Sequence, residues 1–172
     1  MADPNLAPPL LDETNAGFIT GGVSIIASSC SDDNVPVMGR IAGCRLSADR
    51  RTVTLLFSAA YAAELVAGVR KSGQLAVVFS RPSTAQTIQL KGTDATVVPT
   101  HKGDVKLVEE HCEALVADVC PLGFTESMIR AYVWLDPADI CAVMFTPREA
   151  FIQTPGPRAG EPLKGGTRVH AG

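Results

Sequence analysis

An antiparallel β-sheet or barrel with helices attached to it is the architecture this sequence predicts. Three observations carry that expectation. Six separate segments either alternate apolar with polar residues or run as short β-branched stretches. Hairpin-length connections dominate between them, unlike the regular strand–helix–strand alternation of a parallel sheet. A chain of 172 residues, 46% hydrophobic and 19% charged, supplies one packed core and little room for a second.

In chain order, Pro8 and Pro9 open a short helix through about Ala16, and Gly21 and Gly22 separate it from the first strand. That strand is residues 23–29 (VSIIASS); residues 31–34 form a turn, and 35–44 a second extended segment. In TVTLLF, Val53, Leu55 and Phe57 alternate with Thr52, Thr54 and Leu56, and residues 48–51 join this strand to the previous one as a hairpin. Ser58 then caps a helix with Ala62, Leu65, Val66 and Val69 on one face. Arg70 and Lys71 suit its negative end, and Gly73 stops it. Residues 74–79 make a strand, 80–84 a turn, and 86–98 a long return strand with Ile88 and Leu90 on one face, Gln89 and Lys91 on the other, and a bulge at Gly92.

The segment 104–120 is the strongest helix, capped by Asp104 and striped by Val108, Cys112, Leu115, Val116 and Val119. A short helix starts at Thr125, and 139–146 is the last strand. Residues 1–151 therefore read as one domain. Eight of the last twenty residues are Gly or Pro, so residues 152–172 read as a tail that leaves the domain as an extended, solvated arm and adds nothing to folding.

Composition excludes several functions. The formal charge of −3 lacks the basic excess of a nucleic-acid binder. No apolar run approaches the ~20 residues that cross a bilayer, and the first residues carry acids where a secretory signal has a basic start. Five cysteines are too few and odd in number for a disulfide scaffold, so a cytoplasmic protein is expected. Glycine-rich phosphate loops, a nucleophile elbow, CxxC and HExxH are all missing from the sequence. His111 and Cys112, with His101 and Cys120 nearby, read as an exposed histidine beside a small buried hydrophobe, so no metal site is expected. No residue stands out as an acid–base catalyst.

The informative feature is Arg40-Ile-Ala-Gly-Cys-Arg45. Residues five apart point to opposite faces of a regular strand, but a bulge at Gly43 would bring both guanidinium groups to one face as a grip for phosphate. Two ordinary exposed strand arginines are the alternative.

With this pair, the strand end Leu56, Phe57 and Ser58 followed at once by a helix, and Ser80-Arg-Pro-Ser-Thr leading into Thr87-Ile-Gln-Leu-Lys-Gly92, the sequence resembles the pyridoxamine 5′-phosphate oxidase-like family over about residues 17–151. The resemblance implies an antiparallel six-stranded split β-barrel that binds FMN. It implies that Arg40 and Arg45 hold the flavin phosphate, Arg45 standing where the family has Lys. It places Phe57, Ser58, Gln86, Thr87 and Gln89 around the cofactor. The stretch after Ser58 carries no cation, where the family's oxidases place a further Ser, Arg or Lys. A homodimer is implied, with flavin sites at the subunit interface and a small molecule as substrate. Three functions are then open: a flavin-dependent oxidoreductase, a flavin-binding or storage module without turnover, and a haem-binding or cofactor-free relative. Pyridoxamine-phosphate oxidase activity itself is not expected, since the tail does not match that enzyme's basic substrate signature.

Overall fold

The computed structural model describes residues 8–30, 33 and 35–163. Within them, two antiparallel sheets enclose the core. One has five strands in the order β2 (Pro36–Ile41), β1 (Ser24–Cys30), β5 (Leu75–Ser80), β6 (Thr87–Gly92) and β9 (Glu149–Ile152). The other has four, β3 (Gly43–Leu46), β4 (Val53–Ser58), β8 (Ile140–Phe145) and β7 (Thr96–Val98). Among the described residues four α-helices join them: α1 (Glu13–Ile19), α2 (Ala63–Ser72), α3 (Asp104–Val119) and α4 (Glu126–Val133).

The expected six strands become nine because two long segments each serve both sheets and a further strand, β9, follows the last expected one. The segment 35–44 breaks at Ala42, whose N–H bonds the Leu56 carbonyl, so β2 pairs with β1 and β3 with β4. The return strand 86–98 breaks after Gly92, and β6 and β7 lie in different sheets. Gly92 therefore sits at a corner, where a Cβ would stand 2.7 Å from the Phe145 ring and 2.8 Å from the Thr146 carbonyl oxygen.

Alternation within the five-stranded sheet is regular. Ile25, Ala27, Ile41, Leu75, Val77, Phe79, Ile88, Leu90 and Ala150 point inward and join Leu55, Phe57 and Phe145 from the second sheet in one hydrophobic cluster. Helix α2 starts at Ala63 rather than Ser58 and ends at Gly73, which takes φ 64° as the left-handed cap. Helix α1 begins later than expected, at Glu13, because Asp12 accepts the Asn15 N–H as its cap.

Helix α3 covers β3, and two glycines admit it. A Cβ on Gly22 would lie 2.3 Å from the Ala114 carbonyl oxygen, and one on Gly43 would lie 2.9 Å from Leu107 Cδ2. This packing turns the helix from its expected register: the buried side is Asp104, His111, Leu115, Val116 and Val119, while Cys112 is only half-buried. The cap is Gly103, with Asp104 the first helical residue. Helix α4, expected to begin at Thr125, begins one residue later with Thr125 as its cap; it packs on α3 through Ile129, and Arg130 clasps Glu113 and Glu126 at 2.6 and 2.7 Å.

The extended arm expected of residues 152–163 is instead a return loop. Gly160 N–H donates to Ile152 O at 2.7 Å, Ile152 N–H to Glu161 O at 2.8 Å, and Leu163 N–H to Ala150 O at 3.0 Å. Leu163 is buried in the main cluster. Composition favoured a solvated tail, but one apolar side chain three residues past Gly160 reaches an open edge of the core. The rest of the expected tail, residues 164–172 with His170, lies outside the described residues.

Candidate functional site

The two arginines do face away from the core. Ile41 and Cys44 both belong to the central cluster although three residues apart, so alternation is reset at Ala42 and Gly43 between them. They nevertheless end in different sheets with different partners. The Arg40 guanidinium lies over the Tyr132 ring of α4, 3.5 Å from its centroid. Arg45 Nε donates to Asp104 Oδ1 at 3.0 Å, at the start of α3, and its Nη2 is buried without a hydrogen-bond partner.

Magnitudes separate the two. An exposed cation–π contact is worth about 0.5–1 kcal/mol, so Arg40 is freed for a ligand at little cost. The Asp104 side chain is only 3% exposed against 25% for Arg45, and its other oxygen accepts the His101 N–H at 2.7 Å. Turning Arg45 toward another anion would leave that carboxylate buried and uncompensated, a loss on the order of 3–5 kcal/mol.

Ser58 is committed in the same way. Its hydroxyl donates to the Asp139 carboxylate in a short contact, and the Ala60 N–H points at both Asp139 oxygens, 3.2 and 3.3 Å away. The neighbouring Phe57 side chain is wholly inside the core.

Thr87 and Gln89 form a second group, on the outer face of the five-stranded sheet with Arg40. The register places Arg40, Ile26, Val78, Gln89 and Phe151 side by side in one row across five strands. Thr87 lies in the next outward row beside Ser80, its hydroxyl 2.9 Å from Ser80 Oγ. Sequence reading missed the strand that borders them. Gln153 Nε2 donates to Gln89 Oε1 at 3.2 Å, and Thr87 N–H donates to Thr154 Oγ1 at 2.9 Å. Gln86 and Thr87, with Thr154, Pro157 and Arg158 of the return loop, line a cavity of about 410 Å³. The outward and inward alternation of EAFI was the available signal for β9, hidden by the Gly and Pro beyond it.

A second cavity, about 460 Å³, lies between α1, β3 and α3 and is bordered by Thr20, Cys44, Arg45, Leu107 and His111. His111, expected to be exposed, is buried there; burial pushes its pKa below the ordinary value, opposed by a hydrogen bond to the Val23 backbone. Burial also pushes the Cys44 thiol up to about 12, so it stays protonated and donates to Ile19 O at 3.1 Å. Among the described residues no group of His, Cys, Asp and Glu gathers in a way that could hold a metal ion. No helix among them is long and apolar enough to cross a membrane.

The seven candidate residues thus divide. Arg40, Thr87 and Gln89 share a sheet face, with Gln86 at its edge; Arg45 and Ser58 hold internal acids; the Phe57 side chain is core. A phosphate dianion does not fit the β3–β4 positions as they stand, because Asp104 and Asp139 already occupy their donors.

No protein-family model and no curated protein matches the chain by sequence. Solved structures do match. HupZ of Group A Streptococcus superposes with TM-score 0.53 at 11% identity, covering 87% of this chain and 100% of that one. An F420 reductase superposes with TM-score 0.53 at 12% identity, covering 81% and 98%. A pyridoxamine 5′-phosphate oxidase-related, FMN-binding protein of Nostoc punctiforme overlaps at TM-score 0.44, with 10% identity over 78% and 76% of the two chains, too loosely to add weight. At 11–12% identity the likeness is one of fold, and the chain has the antiparallel split-barrel fold with attached helices that its sequence predicted.

Proposed function

We propose that this chain is a homodimeric, flavin-binding split-barrel protein that acts as an oxidoreductase on a small molecule. One observation carries the reading: the outer face of the five-stranded sheet is partly apolar and uncovered. Met38 and Ile26 stand 74% and 42% exposed there, and Val78 lies beside Ile26 in the register. Arg40 and Gln89 sit at either end of that apolar floor, three strand spacings or about 14 Å apart. A flat aromatic ligand with a polar rim suits such a floor, and a second copy of the chain would close it from above. The F420 reductase with the same fold is consistent with redox use of this architecture.

The purified protein tests this directly. Sedimentation at micromolar concentration should give a dimer, and the visible spectrum should carry a flavin band that disappears on addition of NAD(P)H. A monomer counts against the interface. A colourless protein that also fails to quench added riboflavin or FMN overturns the flavin reading. A Soret band would assign haem instead, and a flavin band that reduced nicotinamide leaves unchanged would make the protein a binding module without turnover.

A further inference from the structure

At the end of β4 the chain turns through residues 58–62 into α2. Ser58, nine-tenths buried, and the Ala60 N–H converge there on one point. A hydroxyl and a backbone N–H aimed together are the donor set of an oxyanion cradle, here in the turn before the α2 cap Ala62, with the Tyr61 N–H donating in turn to Ser58 Oγ. The anion in it belongs to the chain itself. Asp139 directly precedes β8, and Ser58 pairs with Ile140, so the β4–β8 register fixes its carboxylate in place. The Ala59 N–H also donates to the Asp139 carbonyl at 2.9 Å, which holds the backbone of the acid as well as its side chain. Asp104 repeats the arrangement at Arg45.

We propose that Asp139 is a specificity-determining residue: its carboxylate fills the oxyanion cradle formed by Ser58 and Ala60, so that the site turns away phosphorylated ligands and takes those without a phosphate. A dianion placed at the cradle would meet a like charge within a few ångströms and would have to displace bonds already made. The ligand-choice part of this inference rests on the flavin reading above; the cradle part does not.

Two measurements at fixed pH 7.5 test it. In the first, melting temperature is compared in phosphate and in chloride at matched ionic strength. Wild type should show no phosphate-specific gain, whereas Asp139→Ala, with the cradle emptied, should gain several degrees, since a ligand that binds only the folded state stabilises it. Equal gains in both proteins, or none in the variant, overturn the proposal. If Asp139→Ala does not fold, Asp139→Asn, which keeps the shape and removes the charge, is read in the same way. In the second, fluorescence quenching compares FMN with riboflavin. Wild type should bind riboflavin at least as tightly as FMN, and Asp139→Asn should shift the ratio at least tenfold toward FMN. A wild-type preference for FMN that the variant keeps overturns the proposal. If neither flavin binds to either protein, the flavin reading fails and the phosphate measurement decides the cradle by itself.

Discussion

Leu163 is where a local change has its clearest expected cost. Its side chain is 8% exposed and belongs to the main core cluster, and its N–H bonds Ala150 O on the edge strand β9. Leu→Ala in a core costs about 2–5 kcal/mol, the spread depending on how far the site collapses. Leu163 lies at the rim, on a loop able to settle, so the low end applies, about 2–3 kcal/mol. For a chain of this size that lowers the melting temperature by roughly 5–10 °C. A chain ending at Leu163 is the reference; ending it after Pro157 removes the Leu163 side chain together with the bonds from Gly160 and to Glu161, and should cost more than Leu163→Ala alone. Calorimetry or circular-dichroism melting gives the answer. If the chain cut after Pro157 melts with the reference, the return loop is not part of the fold and the tail is the solvated arm that composition indicated.

Other outcomes rest on single contacts. His111 is held neutral by burial, while its unfolded pKa is near 6.5, so the unfolded state binds the extra proton as pH falls below that value and stability declines from about pH 6.5 down to the lowered folded pKa. Denaturant midpoints between pH 7.5 and 5.5 should fall less steeply in His111→Leu, and parallel curves would show that His111 contributes nothing. Cys44, buried and with its thiol pushed up to about 12, should resist a thiol reagent at pH 8 until the protein unfolds; modification in the native state would refute its burial. Gly22→Ala places a methyl group 2.3 Å from the Ala114 carbonyl oxygen, so α3 must shift, at a cost of about 1–3 kcal/mol seen as a lower denaturation midpoint. An unchanged midpoint would mean α3 does not dock there. Arg40→Ala should leave stability within about 0.5 kcal/mol, since its only described partner is the exposed Tyr132 ring, whereas Arg45→Ala should destabilise by exposing the loss at Asp104. Equal effects on melting would refute the division of the two arginines.

What the sequence determined by itself is what depends on near neighbours along the chain. The period-two runs at 53–57 and 74–79 made strands, the second burying one face and the first, against expectation, buried on both, and Gly73 ended α2 because only glycine takes its left-handed cap cheaply. The start of α4 near Thr125 and the turn at 48–51 were legible for the same local reason. A bulge at Gly43 was expected to bring both arginines to one face; the segment instead crosses between sheets at Ala42, and Arg40 and Arg45 face away from the core in different sheets. Tertiary structure decided everything that requires a partner far away in sequence. The stripe of α3 was expected to bury Cys112 and expose His111, and the notches at Gly22 and Gly43 set a register that buries His111 instead. The Gly- and Pro-rich composition of residues 152–163 described a flexible arm, and a gap at the edge of the core turned it into a return loop by offering Leu163 somewhere to go. Above all, the resemblance implied that Arg45 and Ser58 offered their donors to a cofactor, while the acids that take them, Asp104 and Asp139, lie 59 and 81 residues away. Charge pairing over such separations has no periodicity to betray it; only the fold, by setting α3 against β3 and β8 against β4, brings each carboxylate to its donor.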